Sequence, residues 1–293
     1  MIEPTASVVI AAHDEQENIG STLRALTAEA APEEFEVVVV CNGCSDRTAA
    51  VAREHGGVTV LELTEASKSA ALRLGDLHTT VFPRLYLDAD VRLTTAAARD
   101  LAGALAGDAP AVAGLRADID VTRASRGVHW FYDFRDRLPV LGGGVIGAGV
   151  YALNVAGRSR FGAWPDVLGD DLFVFRLFRP EERLLLNGHR TLVTAPRDLG
   201  EVVRRGVRVR LGNLQLDRLH TAAELEPRPP AGLGRALRDA VRRPGGLAGA
   251  VTFVAVTALI RLRVLFGAGG GDWGRSTGEG ETHEQGARTH RAA

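Results

Sequence analysis

Lysine is almost absent from this chain. Of its 35 basic residues one is a lysine, Lys68, and the rest are arginines. The richness in alanine, glycine and arginine is what a GC-rich coding sequence produces, and a lysine kept against that bias raises the question of what its site needs. Cysteine is nearly as scarce, with Cys41 and Cys44 the only two. Their C-x-x-C spacing suits a redox pair or half a zinc site. No second cysteine pair or histidine cluster completes a zinc site, and the pair follows a strand rather than opening a helix. Small buried side chains at a turn are the expectation, and so little cysteine fits a reducing compartment. Charge of one sign is lacking too: the net charge is −1, so no global field draws the chain to nucleic acid. Glu3 and Pro4 interrupt the start, so no secretory leader is expected. The one membrane-like run is Leu247–Ile260. It falls short of the roughly 20 apolar residues of a span, and extending it to Phe266 takes in Arg261 and Arg263. A helix lying on a bilayer or on the domain itself is expected there.

What is present is a series of short apolar runs separated by helical patterns. At 293 residues and 45% apolar content the chain can bury one large core or two small ones. Ser7–Ala12 and Phe35–Val40 are continuous apolar runs, the mark of strands covered on both faces. Val58–Leu63 and Leu85–Leu87 follow as further strands. Helices are predicted between them over Asn18–Glu29, Thr48–His55 and Ala70–Leu77, with Ser67 as a cap for the last. This βαβαβαβ order predicts an α/β fold with a parallel sheet and right-handed crossovers. Ligands of such sheets sit beyond the carboxyl ends of the strands. Farther along, a helix is predicted over Ala96–Ala106 and strands over Ala111–Leu115 and Val150–Leu153. Leu184–Leu186 and Thr191–Ala195 read as a hairpin or a pair of short strands. Arg116–Pro139 mixes Trp130, Phe131, Tyr132 and Phe134 with charges, for an acceptor to stack on or to cover the sheet. Arg197–Arg243 is rich in arginine, a solvated face or a holder of anions.

The chemistry concentrates in carboxylates. Asp88-Ala89-Asp90 ends a predicted strand, where two carboxylates one residue apart can share a divalent cation. Mg²⁺ and Mn²⁺ favour such oxygen ligands and leave room for diphosphate oxygens. Asp170-Asp171 open a predicted helix, where acids also serve simply as caps. Gly142–Gly144 and Gly147–Gly149 allow close backbone approach to a ligand, or form a plain loop. His13–Asn18, after the first strand, contains no glycine. That argues against the G-x-G-x-x-G turn of a nicotinamide enzyme and against the glycine-rich phosphate loop of a sugar-phosphate nucleotidyltransferase.

The segments SVVIAAHDEQENI, VVVVCNGCSDRTAAVA, ASKSAALRLG, YLDAD and LGDDLF occur in this order at predicted strand ends. Together they resemble the family 2 glycosyltransferases, nucleotide-sugar enzymes of the GT-A fold, over roughly residues 6–215. The resemblance implies a Rossmann-like, mostly parallel sheet flanked by helices. It implies that Ala11, His13 and Glu15 lie against the nucleoside. Asn42 stands where the family usually has an aspartate that accepts a hydrogen bond from the uracil base. Lys68 matches a basic residue near the donor. Asp88, Ala89 and Asp90 match the metal and ribose-diphosphate motif, with Asp88 and Asp90 as ligands of Mg²⁺ or Mn²⁺. Asp170 and Asp171 match the acidic pair on the acceptor side, with Asp171 as the general base. No Q-x-x-R-W segment is present near Arg205–Arg210, which disfavours processive polymerisation.

The expected function is therefore metal-dependent, inverting transfer of a sugar from a nucleotide-diphosphate donor, UDP-sugar first, to an acceptor hydroxyl. The acceptor is a sugar, a lipid-linked molecule or a small molecule. A non-catalytic binding module is the alternative class. The expected organisation is a GT-A domain over 1–220, a basic, proline-rich linker over 221–243, an apolar helix over 244–268 as a C-terminal helical extension, and a disordered tail over 269–293. The expected location is the cytoplasm, with peripheral contact at the inner face of the membrane.

Overall fold

The computed structural model of the protein describes residues 4–109, 111–138, 147–219, 233–240, 243 and 246–267. The apolar runs form β1 (Ala6–Ala12), β2 (Phe35–Asn42), β3 (Val58–Leu63) and β4 (Arg84–Asp88). These four lie parallel in the order β3-β2-β1-β4. Helices α1 (Ile19–Thr27), α2 (Thr48–Arg53) and α3 (Lys68–Leu77) make the crossovers. Alternate side chains of a strand point to opposite faces. Val8 and Ile10 accordingly join Leu23 and Leu26 of α1 in one core cluster, while Val9 packs with Leu72 of α3 in another. Cover on both faces is why β1 and β2 are apolar over Val8–Ala12 and Val37–Cys41, whereas β3, at the sheet edge, leaves Thr59 and Glu62 exposed.

The chain leaves β1 on the side of β2 and β3, then returns on the other side of β1 as β4. That reversal opens a crevice at the carboxyl ends of β1 and β4. Ala11 and Asp88 are register partners at this point.

The second half extends the sheet. It contains α4 (Thr95–Ala104), β5 (Val112–Asp120), α5 (Arg126–Arg135), β6 (Val150–Leu153), α6 (Val155–Arg158), α7 (Asp170–Arg176) and β7 (Arg183–Thr194). β6 runs antiparallel between β4 and β5, so the full order is β3-β2-β1-β4-β6-β5-β7. Of the two expectations for 184–195, a hairpin or a pair of short strands, the structure shows no hairpin but two runs of one edge strand. It pairs parallel with β5 from Arg183 to Leu186 and again from Arg190 to Thr194, and residues 187–189 bulge out between the two runs. Asn187-Gly188 is a hairpin-turn dipeptide by sequence. The long β5 edge holds both flanks in parallel register, so the dipeptide serves a bulge.

A third layer follows, made of α5 with α8 (Leu199–Leu219) and α10 (Gly246–Leu265). Val128, Phe131 and Tyr132 of α5 pack with Val202, Val203 and Val207 of α8 and Val256 of α10. Of the four clustered aromatics, three are therefore core, while Trp130 is exposed. Helix α9 (Leu233–Ala240) falls inside the stretch expected as a linker. Residues 221–232 of that stretch, Gly142–Gly144, and the tail from 268 onward lie outside the described residues.

Candidate active site

Strand β4 delivers Asp88 to the crevice, and its N–H donates to the Gly149 carbonyl at 2.8 Å. Gly149 has φ +67°, and a Cβ there would lie 2.3 Å from Val91 Cγ2 and 3.3 Å from Asp88 Oδ2. Only glycine lets this loop close onto the carboxylate. Ala89 turns into the core, and its carbonyl accepts from Thr22 Oγ1 at 2.8 Å. Any contact of Ala89 with a ligand is thus through its backbone. Asp88 is half-buried and Asp90 is exposed.

Lys68 joins the two halves of the site. Its Nζ donates to Asp88 Oδ1 at 2.7 Å and lies 2.8 Å from Asp170 Oδ1. It is the first residue of α3, capped by Ser67, whose hydroxyl accepts from Ala70 N–H at 3.2 Å. A cation at a helix N-terminus opposes the helix dipole, so the two carboxylates must hold it there. Burial alone would lower its pKa, but Asp170 and Asp88 outweigh burial, and the ammonium is held charged above the usual lysine range. Burial raises the Asp88 carboxyl, with Lys68 offsetting part of the effect.

Asp170 and Asp171 open α7 and point different ways. Asp170 is buried, and its Oδ2 accepts from the Tyr151 hydroxyl at 2.9 Å. Asp171 accepts from Gly147 N–H at 2.8 Å and from Leu172 N–H at 2.7 Å. Burial and the Asp170 charge push Asp171 up to about 6, against the pull of Lys68 and the Gly147 N–H. A carboxylate with such a pKa is mostly ionised at neutral pH and remains a competent proton acceptor.

The loop after β1 faces the end of β2. His13 Nδ1 lies 2.7 Å from the Asn42 carbonyl, and the Asn42 side-chain amide donates to the Ala12 carbonyl at 2.8 Å. Asn42 is 1% exposed, and its Oδ1 is a buried acceptor with no hydrogen-bond partner. Glu15 accepts from Asn18 Nδ2 at 2.7 Å, and its backbone N–H donates to Thr48 Oγ1 at 2.8 Å. Burial raises the Glu15 pKa, and the charges of Asp90, Asp88 and Asp46 raise it further. Glu15 and the Asp88–Asp90 pair thus share one negative basin. Ala11 is half-buried between the clusters beneath this loop.

Three contributors escaped the sequence. Arg208 of α8 is exposed and feels the charges of both Asp88 and Asp90. Its stretch is conspicuous for arginine, but nothing in the sequence singles out this one. Tyr151 lies in an ordinary buried strand, and only the structure aims its hydroxyl at Asp170. Beneath it, Tyr86 stacks on Tyr151 with ring centroids 5.1 Å apart. Asp76 anchors this layer. It accepts from Tyr86 OH at 2.8 Å, Trp164 Nε1 at 2.7 Å, Arg84 Nη1 at 2.7 Å and Arg158 Nη2 at 2.7 Å. Trp164 is therefore a core residue tied to the floor of the site.

The cysteines take no part. Both are free, Cys41 is buried, and burial pushes its thiol up to about 12. Cys44 does come near Asp14 and Asp46. Those carboxylates are already engaged with Ser45 and Thr48 main-chain N–H groups, each at 2.7–2.8 Å. A cavity of about 380 Å³ lined by Phe82, Pro83 and Asn154 lies at the amino end of β4, away from the crevice.

The donor set suits a hard divalent cation. Asp88 keeps Oδ2 for a second partner, Asp90 is exposed, and Glu15 deepens the negative basin. All of these are oxygen ligands, as Mg²⁺ and Mn²⁺ prefer, and two of them leave coordination positions for diphosphate.

Residues 7–180 match the model of glycosyl transferase family 2. The chain belongs to this family. Among curated proteins no significant sequence match was found. Solved structures share its fold at low identity. The mannosyltransferase PcManGT of Pyrobaculum calidifontis, in complex with GDP-Man and Mn²⁺, superposes with TM-score 0.58 at 17% identity, covering 93% of this chain and 77% of that one. S. aureus TarS 1–349 in complex with UDP gives TM-score 0.52 at 14% identity, covering 91% and 92%. Glucosyl-3-phosphoglycerate synthase of Mycobacterium tuberculosis, with Mn²⁺, UDP and glucosyl-3-phosphoglycerate, gives 0.51 at 20% identity, covering 73% and 78%. The fold is GT-A, and the family 2 domain is that of a glycosyltransferase.

Proposed function

We propose that this glycosyltransferase moves a sugar from a nucleotide-diphosphate donor, UDP-sugar first, to an acceptor hydroxyl with inversion at the anomeric carbon. The observation that carries the reading is the Asp88–Lys68–Asp170 bridge, because it ties the diphosphate end of the crevice to the acidic pair on α7.

The roles follow from the surroundings of each group. Asp90 and Asp88 Oδ2 would hold Mg²⁺ or Mn²⁺, which would supply positive charge for the leaving diphosphate. Arg208 adds a second positive charge from α8. Asn42 Oδ1, buried without a partner, suits the imide N–H of a uracil base, with Ala11, His13 and Glu15 around the nucleoside. Ala89 offers backbone to the ribose-diphosphate. Lys68 holds Asp88 and Asp170 in place through its two ion pairs. Asp171 takes the acceptor proton as the new bond forms, while Asp170 fixes the start of α7 through Tyr151 and Lys68. A single base opposite the leaving group gives inversion. The unpaired cysteines support a cytoplasmic setting.

The test has two steps. Thermal shift with UDP-, GDP- and TDP-sugars plus Mn²⁺ identifies the donor, since a ligand of the native state raises Tm. NMR of the product then reads the anomeric configuration. An α-linked donor giving a β-linked product is expected; retained configuration contradicts the single-base mechanism. No shift with any donor and metal favours a non-catalytic binding module.

A further inference from the structure

Among the described residues, helix α10 is attached along one side and exposed along the other. Gly249 and Ala250 near its start, Val256 at its middle and Ile260 and Val264 near its end pack against α5 and α8. The approach is close: a Cβ at Gly206 of α8 would lie 2.2 Å from Ile260 Cδ1. On the other side Leu247, Val251, Val254, Leu262, Leu265 and Phe266 are 46–82% exposed. At 3.6 residues per turn these six fall within one half of the helix circumference. Helix α10 is long and apolar enough to cross a membrane by length and composition. Its end-to-end attachment to the domain argues for another placement.

We propose that α10 lies in the plane of an anionic lipid bilayer, its bare side sunk to the headgroup–acyl boundary, and that the acceptor is carried by a membrane lipid. Charge favours a bilayer over a second copy of the chain. The helix contains no acid, and exposed Arg261 and Arg263 stand on the two edges of the apolar side. A second copy of this acid-free face would offer those arginines no counter-charge, whereas an anionic surface pairs with them. Trp130 of α5 is 45% exposed, and its carbonyl lies 3.0 Å from the Cβ position of Gly249, so an amphipathic side chain stands exposed on α5 where it meets α10. The acceptor class follows from the neighbour of α10. Gly206 of α8 abuts Ile260, while Gly212 of the same helix lies against Leu168 and Gly169, where a Cβ would come within 2.9 Å and 3.4 Å, beside Asp170 of the crevice. One helix separates the bilayer side from the crevice, a thickness of about 10 Å. This last step rests on the transferase reading; the docking itself does not.

The test is flotation of the full chain with vesicles of phosphatidylcholine alone or with added phosphatidylglycerol. Binding to the anionic vesicles and release by an alkaline high-salt wash are expected. V251Q/L262Q/F266S should weaken binding on the order of ten-fold or more, and R261Q/R263Q by about five-fold per arginine on anionic vesicles only. All five positions are exposed, so both variants should keep the wild-type Tm and its shift with nucleotide and Mn²⁺. Failure to float, binding unchanged in both variants, resistance to the wash as a spanning helix would show, or a dimer abolished by the triple variant would each overturn the docking. Vesicle binding by a protein that binds no nucleotide sugar would leave the docking standing and sink the transferase reading. With both intact, transfer to short-chain water-soluble acceptors as fast as to vesicle-borne ones would overturn the acceptor class.

Discussion

Lys68 Nζ lies 2.8 Å from Asp170 Oδ1, and the same ammonium donates to Asp88 at 2.7 Å. Two acids far apart in the chain are thus held by the single lysine. Lys68→Ala leaves both carboxylates facing each other without a counter-charge. The Lys68 side chain is 31% exposed, so the loss should be below the ~3–5 kcal/mol of a fully buried pair, about 1–3 kcal/mol. Calorimetric unfolding measures it. Turnover should fall at least as far as for Lys68→Arg, whose planar fork cannot reproduce a point contact to two carboxylates.

Asp90 is exposed and its carboxylate can be removed without opening the core. Asp90→Ala should keep the wild-type Tm within about 2 °C, since surface changes stay near 0.5 kcal/mol. It should lose the Mn²⁺-dependent part of UDP binding in isothermal titration. Chelation of the wild type with EDTA should give the same loss, reversed by added Mn²⁺.

With Asp171 as the proposed base, the pH dependence of transfer should follow its carboxyl. Its carboxyl is pushed up to about 6 from an ordinary 3.8 by burial and by Asp170. A general base must be deprotonated, so kcat/KM should fall about ten-fold per pH unit below 6 and level off above 7. An unshifted aspartate would leave the profile flat from pH 5 to 7. Residual activity of Asp171→Asn should lack this acid limb.

Asp76 holds up the floor of the crevice. Its side chain is 9% exposed and it faces two arginines, a tyrosine and a tryptophan. Asp76→Ala strands the buried Arg84 guanidinium and the half-buried one of Arg158 and should cost about 3–5 kcal/mol. For a chain of this size that is a fall in Tm of roughly 10 °C. Trp164 fluorescence should shift as its indole N–H loses its acceptor.

The strands were legible because burial leaves apolar runs, unbroken where both faces are covered as in Val8–Ala12, and interrupted only by Thr59 and Glu62 in the edge strand β3. Val58–Leu63 and Val150–Leu153 form over the residues the sequence predicts. The Ser67 cap was equally legible, since a short hydroxyl side chain ahead of a helical pattern has a local reason to be there. The carboxylate pairs stood out for their positions at element ends. The Asn187-Gly188 bulge did not, because its conformation is decided by β5, a distant partner. Helix α5 hid in a mixture of aromatic and charged residues whose apolar face is completed by α8 and α10. Arg208, Tyr151 and Asp76 share that reason: each gains its role from a contact made only across the tertiary fold.

The most direct test compares donor binding with turnover in Asp171→Asn and Asp90→Ala. Asp171→Asn should bind the donor with Mn²⁺ within about three-fold of wild type while transfer falls 10²–10⁴-fold, as loss of a general base does. Asp90→Ala should lose binding and transfer together. Transfer by Asp171→Asn at the wild-type rate, or loss of its donor binding as complete as that of Asp90→Ala, would contradict a base on α7 acting across the crevice from the diphosphate.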